Sequence, residues 1–452
     1  MKKEYLRKVI GTALVMTIMA SMTACGAAAA AGEAGSSVSQ SAAAEAAAAA
    51  DAGAEEMQEA SVTETSLKES SDTSADSSGY FTDRDMEQTP DLTDAAVYEV
   101  KDGEDITITE EGVFVLKGEA SEVTVTVEAD TEAKVQLVLD GVTIANTDAP
   151  AIYVKSADKV FVTTTDSENS LSVSGSFTAD GDTNTDAVIF SKDDLVLNGT
   201  GTLTISSTGN GISCKDKLKV TGGSLNIKSA EDALEANDGI YVADGAITID
   251  SAKDGFHAGD SDDDTIGEIF IGGGTLQVAA ADDGIQGTTV VRIAGGTVNV
   301  AAAEGIEGTD VEIEGGTITV QASDDGINAS AKSSACSVTL VISGGSLTVS
   351  MGAGDTDALD SNGSLYIRGG SVDITARSAF DYETEGAIEG GTVTVNGSQV
   401  TQMTGSMMGG GMQGRGGKPA DGKPAGGKPA GGLRGQGART GGRGMQGGGE
   451  QF

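Results

Sequence analysis

A triplet of acid, glycine or alanine, and apolar residue returns once per unit of roughly twenty residues through the second half of this chain. It stands at Asp232-Ala233-Leu234, Asp254-Gly255-Phe256, Asp283-Gly284-Ile285, Glu304-Gly305-Ile306, Asp325-Gly326-Ile327 and Asp357-Ala358-Leu359. A glycine pair keeps phase with it, at Gly222-Gly223, Gly273-Gly274, Gly295-Gly296, Gly315-Gly316, Gly344-Gly345, Gly369-Gly370 and Gly390-Gly391. A unit this short cannot enclose a core of its own, so each must stack on its neighbours.

The unit from Thr275 to Gly296 gives the shape of one turn. Leu276 and Val278 point inward on one strand, Ile285 on a short second strand, and Val291 and Ile293 on a third. Glycines stand at the corners, where positive φ or close packing is needed. The expected fold is all-β: a right-handed parallel β-helix of about 10–12 coils, its hand following the crossover rule. Two intervals of the repeat are long and hold insertions at Gly259–Gly267 and Ala329–Ser337, as loops of a solenoid do.

The flanks have a different texture. Lys2, Lys3, Arg7 and Lys8 precede an apolar run that ends at Met22-Thr23-Ala24-Cys25-Gly26. Residues 1–24 read as a cleaved signal peptide and Cys25 as a lipid attachment site; a plain secretory signal with an incidental cysteine is the alternative. Residues 25–94, rich in Ala, Ser, Glu and Asp, are expected to form a disordered acidic tether. Residues 95–185 read as an N-terminal cap with irregular coils and 186–400 as the regular β-helix. Residues 401–452, with three Gly-Lys-Pro-Ala runs, read as a disordered tail. The localisation that follows is export, with lipid anchoring at the cell surface. Cys214 and Cys336 lie about five units apart, roughly 24 Å at the usual strand spacing, too far for a disulfide; both are expected as small buried thiols.

The chain carries a formal net charge of −41 over 452 residues. That excludes nucleic acid as a natural partner and favours cations. Stacking places the motif acids in one column, where bare carboxylates about 4.8 Å apart repel by roughly 3 kcal/mol each at an effective dielectric near 20. Bound Ca²⁺, several ions of it, relieves that conflict with hard oxygen ligands. Raised pKa values would relieve it by protonation. Asp-Gly at a corner is also ordinary turn chemistry. The expected metal ligands are Asp232, Glu235, Asp254, Asp282, Asp283, Glu304, Glu307, Asp324, Asp325, Asp357 and Asp360. His257, Gln286, Asn328 and Asp381 occupy the same following position as Glu235.

The runs ASDDGIN (322–328), AEGIEG (303–308), AADDGIQG (280–287), FSKDDLVLNGTGTLTI (190–205) and ISCKDKLKVTGG (212–223) resemble the bacterial carbohydrate-binding domain family. The resemblance covers about residues 95–398. It implies a secreted, calcium-binding right-handed parallel β-helix, similar in architecture to pectate lyases, that binds plant cell-wall polysaccharide, cellulose or pectic acid. Ala233 and Ala358 depart from the glycine, and the last coil has Ser378 where an acid leads elsewhere.

Three functions compete. A polysaccharide-binding module would use calcium on the acid column, with Tyr241, Phe256, Phe270, Tyr366, Phe380 or Tyr382 as a sugar platform. A pectate-type lyase would need a Lys or Arg base near the metal, for which Lys253, Arg292 and Arg377 are the weak candidates. A surface adhesin or spacer would need neither. A monomer is expected.

Overall fold

The computed structural model describes residues 79–352 and 356–403. The signal, Cys25, the tether up to residue 78 and the tail after residue 403 lie outside the described residues. Within them the chain is all-β, wound so that each turn adds one strand to each of three parallel ladders. The unit 275–296 supplies one strand to each: Thr275–Ala279, Asp283–Gly287 and Val290–Ile293. The ladder that holds Asp283–Gly287 contains twelve strands, and so counts twelve coils. The other two merge at the N-terminal end, because Gly112–Ser121 and Lys134–Asn146 are long enough to run through both. The C-terminal end closes with an antiparallel hairpin, Thr392–Val395 against Ser398–Val400.

Register is set by inward apolar residues. In the motif ladder Ile189, Ile212, Leu234, Phe256, Ile285, Ile306, Ile327, Leu359 and Phe380 stand one above the next, all buried. A slip of one residue would turn this whole file outward, and each buried Ile, Leu or Phe contributes about 1.5–3 kcal/mol.

The two glycine markers have different causes. Gly274, Gly296, Gly316 and Gly345 have φ of +85°, +85°, +84° and +74°, the left-handed region that side chains disfavour. The motif glycines do not. A Cβ on Gly305 would lie 2.3 Å from the Gly326 carbonyl oxygen and from Val320 Cγ1. Small size, not bending, is required there, which is why alanine stands at 233 and 358.

Two expectations change. The tether is shorter than expected at its solenoid end, because residues from Tyr80 to Gln88 lie as a strap across the flank. Phe81 is 1% exposed. Tyr80 stacks near Tyr241 and Phe270, with ring centroids 4.9 and 4.5 Å away. Asp85 is completely buried between Lys159 and Lys219. A short acidic stretch reads as solvated until two buried lysines distant in sequence claim its carboxylate. The other change is at Cys336, which is half-buried in the second insertion, whereas Cys214 is buried in the core; both are free thiols. The two insertions leave the solenoid at the same corner and meet, the Ser334 N–H donating to Asp264 Oδ2 at 3.1 Å.

Candidate metal centre

The acids of the motif do form a file. With the apolar residues in register, Asn210, Asp232, Asp254, Asp283, Glu304, Asp325 and Asp357 stand in successive coils. A second file runs beside it: Ser213, Glu235, His257, Gln286, Glu307, Asn328 and Asp360. Backbone amides stitch the first file together. The N–H of Asp232 donates to Asn210 Oδ1 (2.9 Å), that of Asp254 to Asp232 Oδ1 (3.1 Å), that of Asp283 to Asp254 Oδ1 (3.0 Å) and that of Asp357 to Asp325 Oδ1 (3.2 Å). One carboxylate oxygen of Asp232, Asp254 and Asp325 therefore binds the backbone of the next coil, and the second oxygen is left for a cation.

The two ends of the file answer that need differently. At Asp232 and Asp254 the protein supplies its own positive charge. Lys253 Nζ lies 2.8 Å from Asp232 Oδ2 and 3.7 Å from Asp254 Oδ2. His257 Nδ1 lies 3.3 Å from both oxygens; no aligned hydrogen bond forms, and the contact is ionic. Burial acts to raise the Asp232 pKa, but His257 and Lys253 overcome it and hold the carboxyl at about 2. Burial acts against charge on His257, yet the two carboxylates lift it to about 9. Glu235 has Lys215 at 3.6 Å.

From Asp283 onward carboxylates outnumber cations. Oxygens of Asp283, Glu304 and Glu307 lie within 4.8 Å of one another. Burial, then the charges of Asp254 and Glu307, pushes Asp283 up to about 8. Burial and Glu307 push Glu304 to about 7, and burial with Asp325 and Asp381 pushes Asp360 to about 7. Burial also raises Asp325. The ion pair here is Lys332 Nζ with Glu307 Oε2, at 2.7 Å, and the Ser330 hydroxyl donates to Glu307 Oε1 at 2.8 Å. Gln286 Nε2 donates to Asp283 Oδ2 and, at 3.3 Å, to Glu307 Oε2.

This part of the file suits a hard divalent cation. Its donors are oxygens, Lys332 offsets their mutual repulsion only in part, and two further oxygens of the files are buried without any hydrogen-bond donor: Asn328 Oδ1 and Asp357 Oδ1. Asn328 is 9% exposed, and its amide nitrogen donates to Glu304 Oε2 at 3.4 Å. Buried acceptors left idle are costly, and hard divalent cations bound along this stretch would relieve that cost.

The expected ligands thus divide. Asp283, Glu304 and Glu307 come together, with Asp325, Asp357 and Asp360 continuing the two files. Asp232, Glu235 and Asp254 lie in the files beside lysines and a histidine. Asp282 is half-buried, Asp324 is exposed, and neither joins the close cluster. The three candidate bases scatter. Lys253 is held by Asp232 and Asp254, Arg292 is paired with Glu312 on another ladder, and Arg377 precedes Ser378, the register partner of Asp357. Sequence reading missed Lys215 and Lys332 as neutralising groups. Lys253, directly before a motif acid, was visible; Lys332, inside an insertion, left no periodic signal.

The aromatic platform does not form as expected. Phe256 and Phe380 lie in the core, and Tyr241 and Phe270 lie under the strap. Tyr366 and Tyr382 keep partial exposure, the former beneath Arg368, whose Cζ is 4.8 Å from the ring centroid.

Fold and site together define a parallel β-solenoid with an acid-lined edge. The sequence profile of the carbohydrate-binding domain-containing proteins matches residues 102–358 and 303–418, and the chain belongs to that family. A carbohydrate-binding domain-containing protein of Acetivibrio thermocellus is 34% identical over 123 residues, covering 26% of this chain and 43% of that protein. The match therefore spans less than half of the relative's length. A solved structure of a polysaccharide lyase-like protein from C. thermocellum, in a gadolinium derivative, is 21% identical, with a TM-score of 0.38, and covers 68% of this chain and 99% of that one.

Proposed function

We propose that this chain is a calcium-dependent, polysaccharide-binding surface lipoprotein. Membership of the carbohydrate-binding domain family supports the carbohydrate. The observation that carries the calcium is the close triad Asp283, Glu304 and Glu307, in line with further acids and with two idle buried oxygens. Those three carboxylates would hold the ion, with Asn328 beside Glu304 and with Asp325, Asp357 and Asp360 further along the two files. The bound ion would supply positive charge to a surface otherwise anionic, so that an acidic sugar such as a uronate is attracted rather than repelled. The chain's own residues do the rest. The backbone ladder fixes one oxygen of Asp254 and of Asp325, and Lys332 and Ser330 orient Glu307. Export and anchoring through Cys25 rest on the sequence at residues 1–26.

The test is a pull-down on cellulose and on polygalacturonate, with calcium and with chelator, beside a melting curve under the same conditions. Retention and melting temperature should both fall on chelation. Retention that ignores the chelator, with an unchanged melting curve, would remove calcium from the account. Release of unsaturated product from polygalacturonate, followed by ultraviolet absorbance, would instead favour the lyase reading.

A further inference from the structure

The strap crosses a face that the solenoid builds without it. Phe161, Val196, Lys219, Tyr241 and Phe270 are register partners in five successive coils, so the backbone ladder alone sets their spacing. This face belongs to a different ladder from the acid files. Its two lysines are the unusual feature. Lys159 and Lys219 side chains are only 7% and 9% exposed, and the Asp85 carboxylate accepts from both, at 3.1 and 2.8 Å.

The contacts are read out along the strap one feature at a time. Tyr80 and Phe81 pack on Tyr241 and Phe270. Thr82 and Asp85 cap each other's backbone, which holds the segment in a turn. Gln88 Oε1 accepts from the Gly199 N–H at 2.8 Å, and its Nε2 donates to the Thr221 carbonyl at 3.0 Å. The floor fits this amide: a Cβ on Gly222 would lie 1.9 Å from Gln88 Oε1. Between the strap and the first ladder strand, Ala96–Glu99, residues 91–94 are exposed.

We propose that this face is a peptide-docking site. Its occupant is a segment with two adjacent aromatic residues, an acid four positions after the second, and an amide three positions further, and it takes that segment from a second copy of this chain as it does from its own. The exposed linker adds nothing to recognition, so the face distinguishes side chains and not the chain they come from. Covalent attachment only raises the local concentration of the segment, to about millimolar for a short linker.

The experiment uses the full-length protein with a specific protease site inserted within residues 91–95. After cleavage, the N-terminal fragment should co-elute with the solenoid on size exclusion. A fluorescent synthetic peptide of residues 79–90 should displace it and bind the solenoid. The same peptide carrying Asp85→Ala should bind at least about tenfold more weakly, because it leaves two buried ammonium groups unpaired. Separation of the fragment on cleavage with no binding of the free peptide would overturn the proposal, as would unfolding of the solenoid when the linker is cut. So would equal affinity of the two peptides. A cut solenoid that ignores the peptide but gains affinity for oligosaccharide would reassign the face to sugar.

Discussion

At Asp254 the two carboxylate oxygens have separate roles: Oδ1 accepts the Asp283 N–H and Oδ2 faces Lys253 and His257. At Asp283 a like charge takes the place of that cation. The protonation of Asp283 follows from this and gives a prediction with a definite sign. Without metal its folded pKa of about 8 lies above the ordinary carboxylate value, so between about pH 4 and pH 8 the native state holds a proton that the unfolded chain has lost. Its contribution to stability is complete at the acid end and is lost as pH rises to about 8. In chelator, the melting temperature of the wild-type protein should therefore fall by several degrees more between pH 5 and pH 8.5 than that of Asp283→Asn. The variant should also melt higher than wild type at pH 8.5 in chelator and lose most of the rise that calcium brings. Scanning fluorimetry across pH, with and without calcium, reads all of this. A calcium response identical in the two proteins would place the ion elsewhere.

At the scale of one coil, the limiting dimension is the gap between a motif residue and the carbonyl of the next turn. Gly305 has 2.3 Å where a Cβ would go, and the neighbours that would have to move are backbone and a buried valine. Gly305→Ala should cost about 1–3 kcal/mol through overpacking, measured by denaturant melts. Ala358→Gly should cost about 1–2 kcal/mol, through chain entropy and the loss of a buried methyl. If both changes were equally mild, spacing would not explain the pattern of glycine and alanine. The acid–small–apolar triplet thus announced two things to a reader of the sequence: a strand and an outward oxygen. Which way the small residue acts was not legible, because a glycine that bends and a glycine that makes room look the same until the next coil is in place.

Over the whole solenoid, each coil touches only its neighbours, so stability is close to a sum of local terms. Calcium bound among Asp283, Glu304 and Glu307 should therefore slow amide exchange in the coils from about residue 280 to 330 and leave those from 187 to 236, which carry their own lysines, nearly unchanged. Exchange mass spectrometry with and without calcium would show this; uniform protection along the length would contradict a divided file. The net charge of −41 gives this arrangement its global setting, since a molecule so acidic gains most from cations at the place where its own are missing.

Repetition is why so much could be read in advance. A period of about twenty residues, with one inward apolar residue and one acid at fixed offsets, dictates stacking, and stacking dictates that the acids align; each step is local and recurs in every coil. The existence of the files follows from that alone; that Asp283, Glu304 and Glu307 are the ones that come close together, out of eleven acids expected as ligands, does not. Other features depend on partners that no period connects. Asp85 finds Lys159 and Lys219 from 74 and 134 residues away, and Lys332 reaches Glu307 from inside an insertion. Lys253 and His257 close over Asp232 and Asp254 in three dimensions, and it is this closure that makes one half of a uniform-looking file self-sufficient. Charge compensation acts through space between side chains, and a linear pattern records which groups are present without recording which of them meet.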